Sequence, residues 1–371
     1  METSRSNPFI SKIKSRTLLN KEGSSKSTFH VELSAHPDLL YSPGDSLAIL
    51  PHYSKERITS LLKLFNSNDS FQYKDETLPL EQLLKSKLNL DTFTKKFLRA
   101  LSSQDIDNQS VMQELLTDSE KCKAFISEHI LESALSFFNP KNPDIQELIS
   151  SLAPILPRMY SIASSKLEHP NEIHLTIATF TYRKQDKVCS GLGSNFLCFC
   201  AKEEETDIPY YIHKSPNFKL PLSHSTDIIM VGPGTGIAPY RAFLQERRAQ
   251  NSTGKHWLFF GDRNRSTDFY YEDFFDQFKS THHLDIDLAF SRDQKQKIYV
   301  QNKMDKQRKK LWDWLKNGAH LYICGDAKQM ARDVQNTIQS IAQSEGKLSE
   351  AEAKEFMRSL RKEGRLNLDV Y

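Results

Sequence analysis

"VGPGTGIAPYRAF", Val231–Phe243, decides how the C-terminal part of the chain is read. It follows the continuous apolar run "DIIMVG", the pattern of a strand buried on both faces. Glycines at 232, 234 and 236 alternate with small residues, and Tyr240, Phe243, Leu244 and Arg247 then recur at helical spacing. Ile237 stands where the G-x-G-x-x-G fingerprint has its third glycine, and no Gly-Lys-Ser/Thr follows. What survives is the physical core of both phosphate motifs: glycines that let backbone approach a ligand, then a helix start that offers amides to an anion. Pro239 suits a first helical turn, where a missing N–H costs nothing. Taken alone, the stretch is either a phosphate cradle or a strand-to-helix turn whose glycines serve packing.

Working outward, strands and helices alternate. "HWLFFGDR", "LDIDLAFSRD" and "AHLYICGDA" read as further strands, and "AEAKEFMRSLRKEG" as a helix before a final strand, "RLNLDVY". This predicts a doubly wound parallel sheet over 223–371. Ligands of such sheets sit beyond the carboxyl ends of the strands. There the sequence puts Gly232–Gly236, Gly261-Asp262-Arg263, Ser291-Arg292-Asp293, Cys324-Gly325-Asp326 and Tyr371. Arg292, with Lys297, Tyr299 and Gln301 after it, is cationic and hydroxylated where a plain ribose would meet an acid, which favours a phosphorylated ribose and NADP(H); solvated surface charge is the competing reading.

Toward the N-terminus, "TFHVEL" alternates Phe29, Val31 and Leu33, and "YSPGDSLAILP" is a turn followed by a short apolar run. From about 55 to 151 the apolar spacing becomes three and four, so a helical insertion is expected. Strand texture returns in "RMYSIASS", "EIHLTIATFTY" and "YYIHKSPNFKLP". Residues 1–222 therefore read as a sheet domain interrupted by a helical block. "PRMYS" sets Arg158 and Tyr160 on one strand face, a cation and a ring suited to a pyrophosphate and a planar group. "SGLGSNF", Ser190–Phe196, is a second small-residue turn entering a helix.

The 371 residues, 38% hydrophobic and 26% charged with a net charge of +3, describe a globular chain without a basic block, which argues against nucleic acid as partner. No apolar run approaches the roughly 20 residues of a membrane span, and METSRSNPFISK has no signal-peptide core. The five cysteines are irregularly spaced, and Cys198-Phe199-Cys200 has no second pair at zinc spacing, so neither a disulfide framework nor a metal site is expected. A reduced, cytoplasmic setting follows.

In this order, "YSPGDSLAI", "PRMYSIASS", "IHLTIATFTY", "NFKLP", "MVGPGTGIAPYRAF", "WLFFGD", "SRDQKQKIYVQ", "YICGDA" and "DVY" resemble the ferredoxin-NADP reductase-like module of the diflavin reductases, the family of the sulfite reductase flavoproteins. The resemblance implies a β-barrel FAD domain (1–222) with the helical insertion, then an NADP-binding α/β domain (223–371), and hydride transfer from NADPH to FAD. By it, Arg158, Met159, Tyr160 and Ser161 bind FAD, with Thr176, Ile177, Ala178, Tyr182 and, in the helical block, Thr92. Gly191, Leu192, Gly193 and Ser194 cradle the FAD phosphates. Gly234 and Thr235 meet NADPH, and Ser291, Arg292, Lys297, Ile298, Tyr299, Val300, Gln301 and Asp333 hold its adenosine end. Ser161, Cys324 and Asp369 surround the reacting atoms, and Tyr371 covers the flavin with little to tether it. Leu192 departs from the small residue usual there. Only METSRSN precedes the first strand, far short of the ~150 residues of the family's FMN domain, so the expected acceptor is separate: a flavodoxin-like FMN protein, ferredoxin or a haem sulfite reductase subunit. A stand-alone ferredoxin or flavodoxin reductase and a degenerate, non-enzymatic flavoprotein are the competing readings.

Overall fold

The computed structural model describes residues 4–371. Residues 1–3, where the first expected domain and the leader reading begin, lie outside the described residues. Two compact units form: residues 4–48, 159–179 and 202–371 make the first, residues 49–158 and 180–201 the second.

The first unit opens with two sheets. In one, β2 (Ile13–Leu18), β3 (Thr28–Ser34) and β8 (Glu172–Ala178) pair antiparallel. The other has the order β1-β11-β4-β7, with β1 Phe9–Ser11, β4 Ser46–Ile49, β7 Arg158–Ser161 and β11 Ile208–His213. Val31 and Leu33 are fully buried, as the alternation requires.

The parallel sheet follows as expected, in the order β14-β13-β12-β15-β16. Its strands are β12 Ile228–Val231, β13 His256–Asp262, β14 Leu284–Phe290, β15 His320–Gly325 and β16 Leu366–Val370. Alternate residues feed two cores. Ile229, Val231, Trp257, Phe259, Leu321 and Ile323 pack on one side with Met304, Leu311, Val334 and Ile338. Ile228, Met230, Leu258, Phe260, Tyr322 and Cys324 pack on the other with Tyr240, Phe243, Leu244 and Phe275. Each large apolar side chain so buried is worth about 1.5–3 kcal/mol, and helices on both faces make the sheet doubly wound.

In the second unit, helices between Lys55 and Ser151 bury Leu61, Leu83, Phe97, Leu131, Phe138 and Leu148 in one core, which also takes Leu192. The helical expectation missed one feature. "SFQY" and "ETLP" form a hairpin, β5 (Ser70–Tyr73) and β6 (Glu76–Pro79). Its turn puts Lys74 at φ +55°, a conformation normally signalled by Gly or Asn, and neither is present. A second hairpin, β9 (Thr181–Lys184) and β10 (Lys187–Ser190), leads to the Gly191 turn.

Candidate functional site

The glycine turn is built tighter than a bare helix start. Gly234–Ile237 form a 3₁₀ turn and the helix Ala238–Ala249 follows, with proline in its first turn. The amide of Gly236 already bonds Pro233 O (3.1 Å), so the outward amides are those of Gly234 and Thr235 at the open end of the turn. All three glycines are compelled, Gly232 because a Cβ there would meet the carbonyl of Gly236. Gly234 sits at φ +59°, where a side chain is strained. A Cβ on Gly236 would run into the carbonyl of Cys324, because the turn lies directly on the end of β15.

Beyond these strand ends lies a cavity of about 380 Å³. Of the expected residues, Gly234, Ser291, Tyr299, Val300, Gln301 and Asp333 line it. Thr235, Arg292, Lys297 and Ile298 are not among its lining; Arg292 and Lys297 are exposed, while Ile298 packs against the core. Sequence reasoning missed Lys26. Its ammonium enters the same cavity and pairs with both oxygens of Asp262 (2.8 and 2.7 Å), whose side chain is 3% exposed. A lysine in "GSSKS" carries no sequence signal, since the contact spans 236 positions. Arg263 donates to Ser25 Oγ (2.7 Å) on the same rim. The lining sets Lys26 and Arg263 against Asp262, Asp326 and Asp333, so it is the small residues and the open amides of the glycine turn that offer an anion its place.

At the other end of the sheet lip, Ser161 Oγ donates to Asp369 Oδ2 (2.8 Å), and Cys324 Sγ lies 3.7 Å from the same oxygen. Cys324 is fully buried; burial, reinforced by the neighbouring carboxylate, pushes its thiol well above the ordinary range, so it stays protonated. Asp369 pairs in register with Cys324 on adjacent parallel strands, which is why residues 45 positions apart meet.

Tyr371 corrects one expectation. Its ring is exposed, yet the residue is tethered: its amide donates to Gly325 O (3.1 Å), its carbonyl accepts from Ala327 N (3.1 Å), and its hydroxyl lies 2.8 Å from Thr235 Oγ1. The strand β16 continues one residue past its formal end.

The residues expected at FAD fall in both units. In the first, Tyr160 and Ser161 are half-buried on β7, and exposed Met159 lies between Tyr160 and Arg158. Thr176 and Ile177 are buried on β8, and Thr176 Oγ1 lies 2.7 Å from the hydroxyl of Tyr271. In the second, Arg158 Nη1 donates to Leu156 O (2.7 Å), Thr92 is exposed and Tyr182 half-buried. Gly191–Ser194 are buried, with Phe180 resting on Gly191 where a Cβ would stand. Phe180 is itself 60% exposed, an apolar ring left on the surface beside a small-residue turn.

Antiparallel sheets carrying a cation–aromatic strand, followed by a parallel sheet whose lip holds a dinucleotide cradle, define a class: two-domain oxidoreductases that bind a flavin and a nicotinamide nucleotide. The profile of the FAD binding domain matches residues 1–196, and that of the oxidoreductase NAD-binding domain matches residues 230–336. The chain belongs to the FAD binding domain family, and it is an oxidoreductase with FAD and a nicotinamide dinucleotide as cofactors. It is similar to three proteins named sulfite reductase [NADPH] flavoprotein alpha-component. That of Bacillus subtilis (strain 168) is 38% identical over 99% of this chain and 62% of its own length. That of Shewanella sp. (strain MR-7) is 35% identical over 100% and 62%, and that of Mannheimia succiniciproducens 34% over 99% and 62%. The chain thus spans about three-fifths of the relatives it matches. Among the described residues, no helix is long and apolar enough to cross a membrane.

Proposed function

We propose that the protein is an NADPH-dependent flavoprotein reductase that takes reducing equivalents from NADPH through FAD to a redox partner, as a sulfite reductase flavoprotein-type component. The observation that carries this reading is the meeting of Ser161, Cys324 and Asp369 at the end of the sheet whose glycine turn faces the dinucleotide cavity. When bound, the flavin accepts a hydride from reduced nicotinamide and releases electrons singly. Around it this chain's own groups orient and protonate: Ser161 and the protonated Cys324 share the carboxylate of Asp369, a short relay for one proton. Tyr371 covers the entry, anchored by Thr235. Lys26 trades Asp262 for phosphate oxygens, while Arg292 and Lys297 on the rim select the phosphorylated ribose.

The same reading assigns Arg158, Met159, Tyr160, Thr176, Ile177, Ala178, Tyr182, Thr92 and the 191–194 turn to FAD. It closes the two antiparallel sheets into a barrel and divides the chain at 222/223, with the insertion at about 55–151. It places the protein in the cytoplasm with a separate acceptor, a flavodoxin-like FMN protein or a haem-containing reductase. A stand-alone ferredoxin or flavodoxin reductase differs in the acceptor alone. The test is direct: purified protein should be yellow, or take up FAD, and bleach with NADPH far faster than with NADH. A chain that cannot take up FAD would sink the reading. Tyr371→Ala should keep FAD and narrow the preference over NADH; acceptor assays with flavodoxin, ferredoxin and sulfite reductase haemoprotein separate the partners.

A further inference from the structure

The helix Ala238–Ala249 begins at the glycine turn and sends one row of side chains across to the flavin-side strands. Arg241 Nη1 donates to Ala163 O (2.7 Å) and to His174 Nδ1 (3.1 Å). One turn on, Gln245 Oε1 accepts from Ser165 N (2.9 Å), and Arg248 forks onto Glu168 (2.7 and 2.7 Å). The spacing i, i+4, i+7 makes this a single helix face. Ala163 lies two residues past Ser161, and His174 two before Thr176. Arg241 also stands over the rings of Tyr271 (5.3 Å) and Phe274 (5.4 Å). The Tyr271 hydroxyl meets Thr176 Oγ1 (2.7 Å) and His30 Nδ1 (3.0 Å), from a backbone held at φ +60°, uncommon for an aromatic residue.

Two features say that this arginine is more than packing. Its Nε is buried without a hydrogen-bond partner, a cost that native structures keep only for a reason. A guanidinium can only donate, so His174 Nδ1 must accept and Nε2 must hold its proton toward Glu172 Oε2 (3.0 Å). Burial, then the charge of Arg241, keeps His174 neutral down to about 4 and His30 down to about 2. The surrounding groups are Lys14 from β2, paired with Glu172; Glu32 from β3, 3.4 Å from His30 Nε2; and His169, whose ring centroid is 4.2 Å from that of His174. A metal at Glu172 would have to displace the proton that Arg241 enforces, so the cluster is built around one tautomer.

We propose that Arg241 is a positioning residue for flavin reduction: it locks the helix that carries the dinucleotide turn onto the two strands that carry Ser161 and Thr176. The inference rests on the proposed function. A displacement of about 1 Å between reacting groups can cost ~100-fold in rate. Full-length Arg241→Met loaded with FAD should therefore keep its flavin and its NADPH dissociation constant within about 3-fold while flavin reduction slows about 10–100-fold. Arg241→Lys, which keeps the charge but not the fork, should recover part of the rate. Independently of turnover, imidazole proton NMR followed down to pH 4 should show His174 untitrated between pH 5.5 and 8 in the wild type, and its midpoint moved upward in Arg241→Met, where burial remains but the neighbouring charge is gone. If Met fails to fold, Arg241→Gln, which removes the charge but keeps an amide donor, carries both readouts. Wild-type rates and an unchanged histidine titration in the variants would overturn the inference. A wild-type protein that binds FAD but is not bleached by NADPH would overturn the functional reading instead, and the histidine titration would still decide whether Arg241 holds the joint.

Discussion

The two small-residue turns, Gly232–Gly236 in the first unit and Gly191–Ser194 in the second, look alike in sequence and are constrained differently. At Gly236 the obstacle is the backbone carbonyl of Cys324, on a strand flanked by β12 and β16 and itself in register with Asp369. At Gly191 it is the ring of Phe180, a side chain largely in solvent. A carbonyl inside a sheet cannot step aside, but an exposed ring can rotate away. The first turn is therefore rigid by construction, while the second has room to adapt.

The largest effect that would sharpen this contrast is acid. His30, His174 and His256 all lie in the first unit, and burial drives them down to about 2, 4 and 3. Their unfolded value is 6.5. A base with a depressed native pKa stabilises fully above its unfolded value, and that stability fades as pH falls toward the native one. Between pH 6 and 4.5 the unfolded chain binds about 2.5 more protons at these sites, a loss of about 3.5 kcal/mol per pH unit. Denaturant midpoints across that range, with hydrogen exchange by segment, should show the glycine turn opening before 191–194. A flat profile would break the comparison.

Next comes Gly236→Ala, expected to cost about 2–4 kcal/mol and to weaken nucleotide binding, because overpacking against fixed backbone has no cheap relaxation. Thermal unfolding and NADPH titration would measure it. Lys26→Met comes third, with about 10-fold weaker NADPH binding and little change in FAD content, since Asp262 would then face the phosphates alone. Isothermal titration against NADPH and 2′,5′-ADP checks this. Smallest is Gly191→Ala, below about 1 kcal/mol, with FAD retained as Phe180 swings outward. A loss as large as that at Gly236 would erase the distinction.

The strand–helix alternation was legible because a sheet buried on both faces must read as continuous apolar runs, and "DIIMVG", "HWLFFG" and "LYICG" do. The Ser161–Cys324–Asp369 grouping came from resemblance and ordered motifs, not from spacing. The hairpin at 70–79 stayed hidden because Lys74 takes a glycine-like conformation that its side chain does not announce. The tether on Tyr371 was equally invisible, since backbone bonds to Gly325 and Ala327 leave no mark on side-chain identity.

The sequence by itself determined the strands of the parallel sheet and their order along the chain, because hydrophobic period and turn residues act locally. Only the tertiary structure decided that Lys26 lines the cavity at the strand ends and that Arg241, on the helix after the glycine turn, bonds Ala163 and His174. These partners lie 236 and 67 positions apart, and a charged residue's meaning depends on what the fold sets opposite it rather than on its neighbours in the chain.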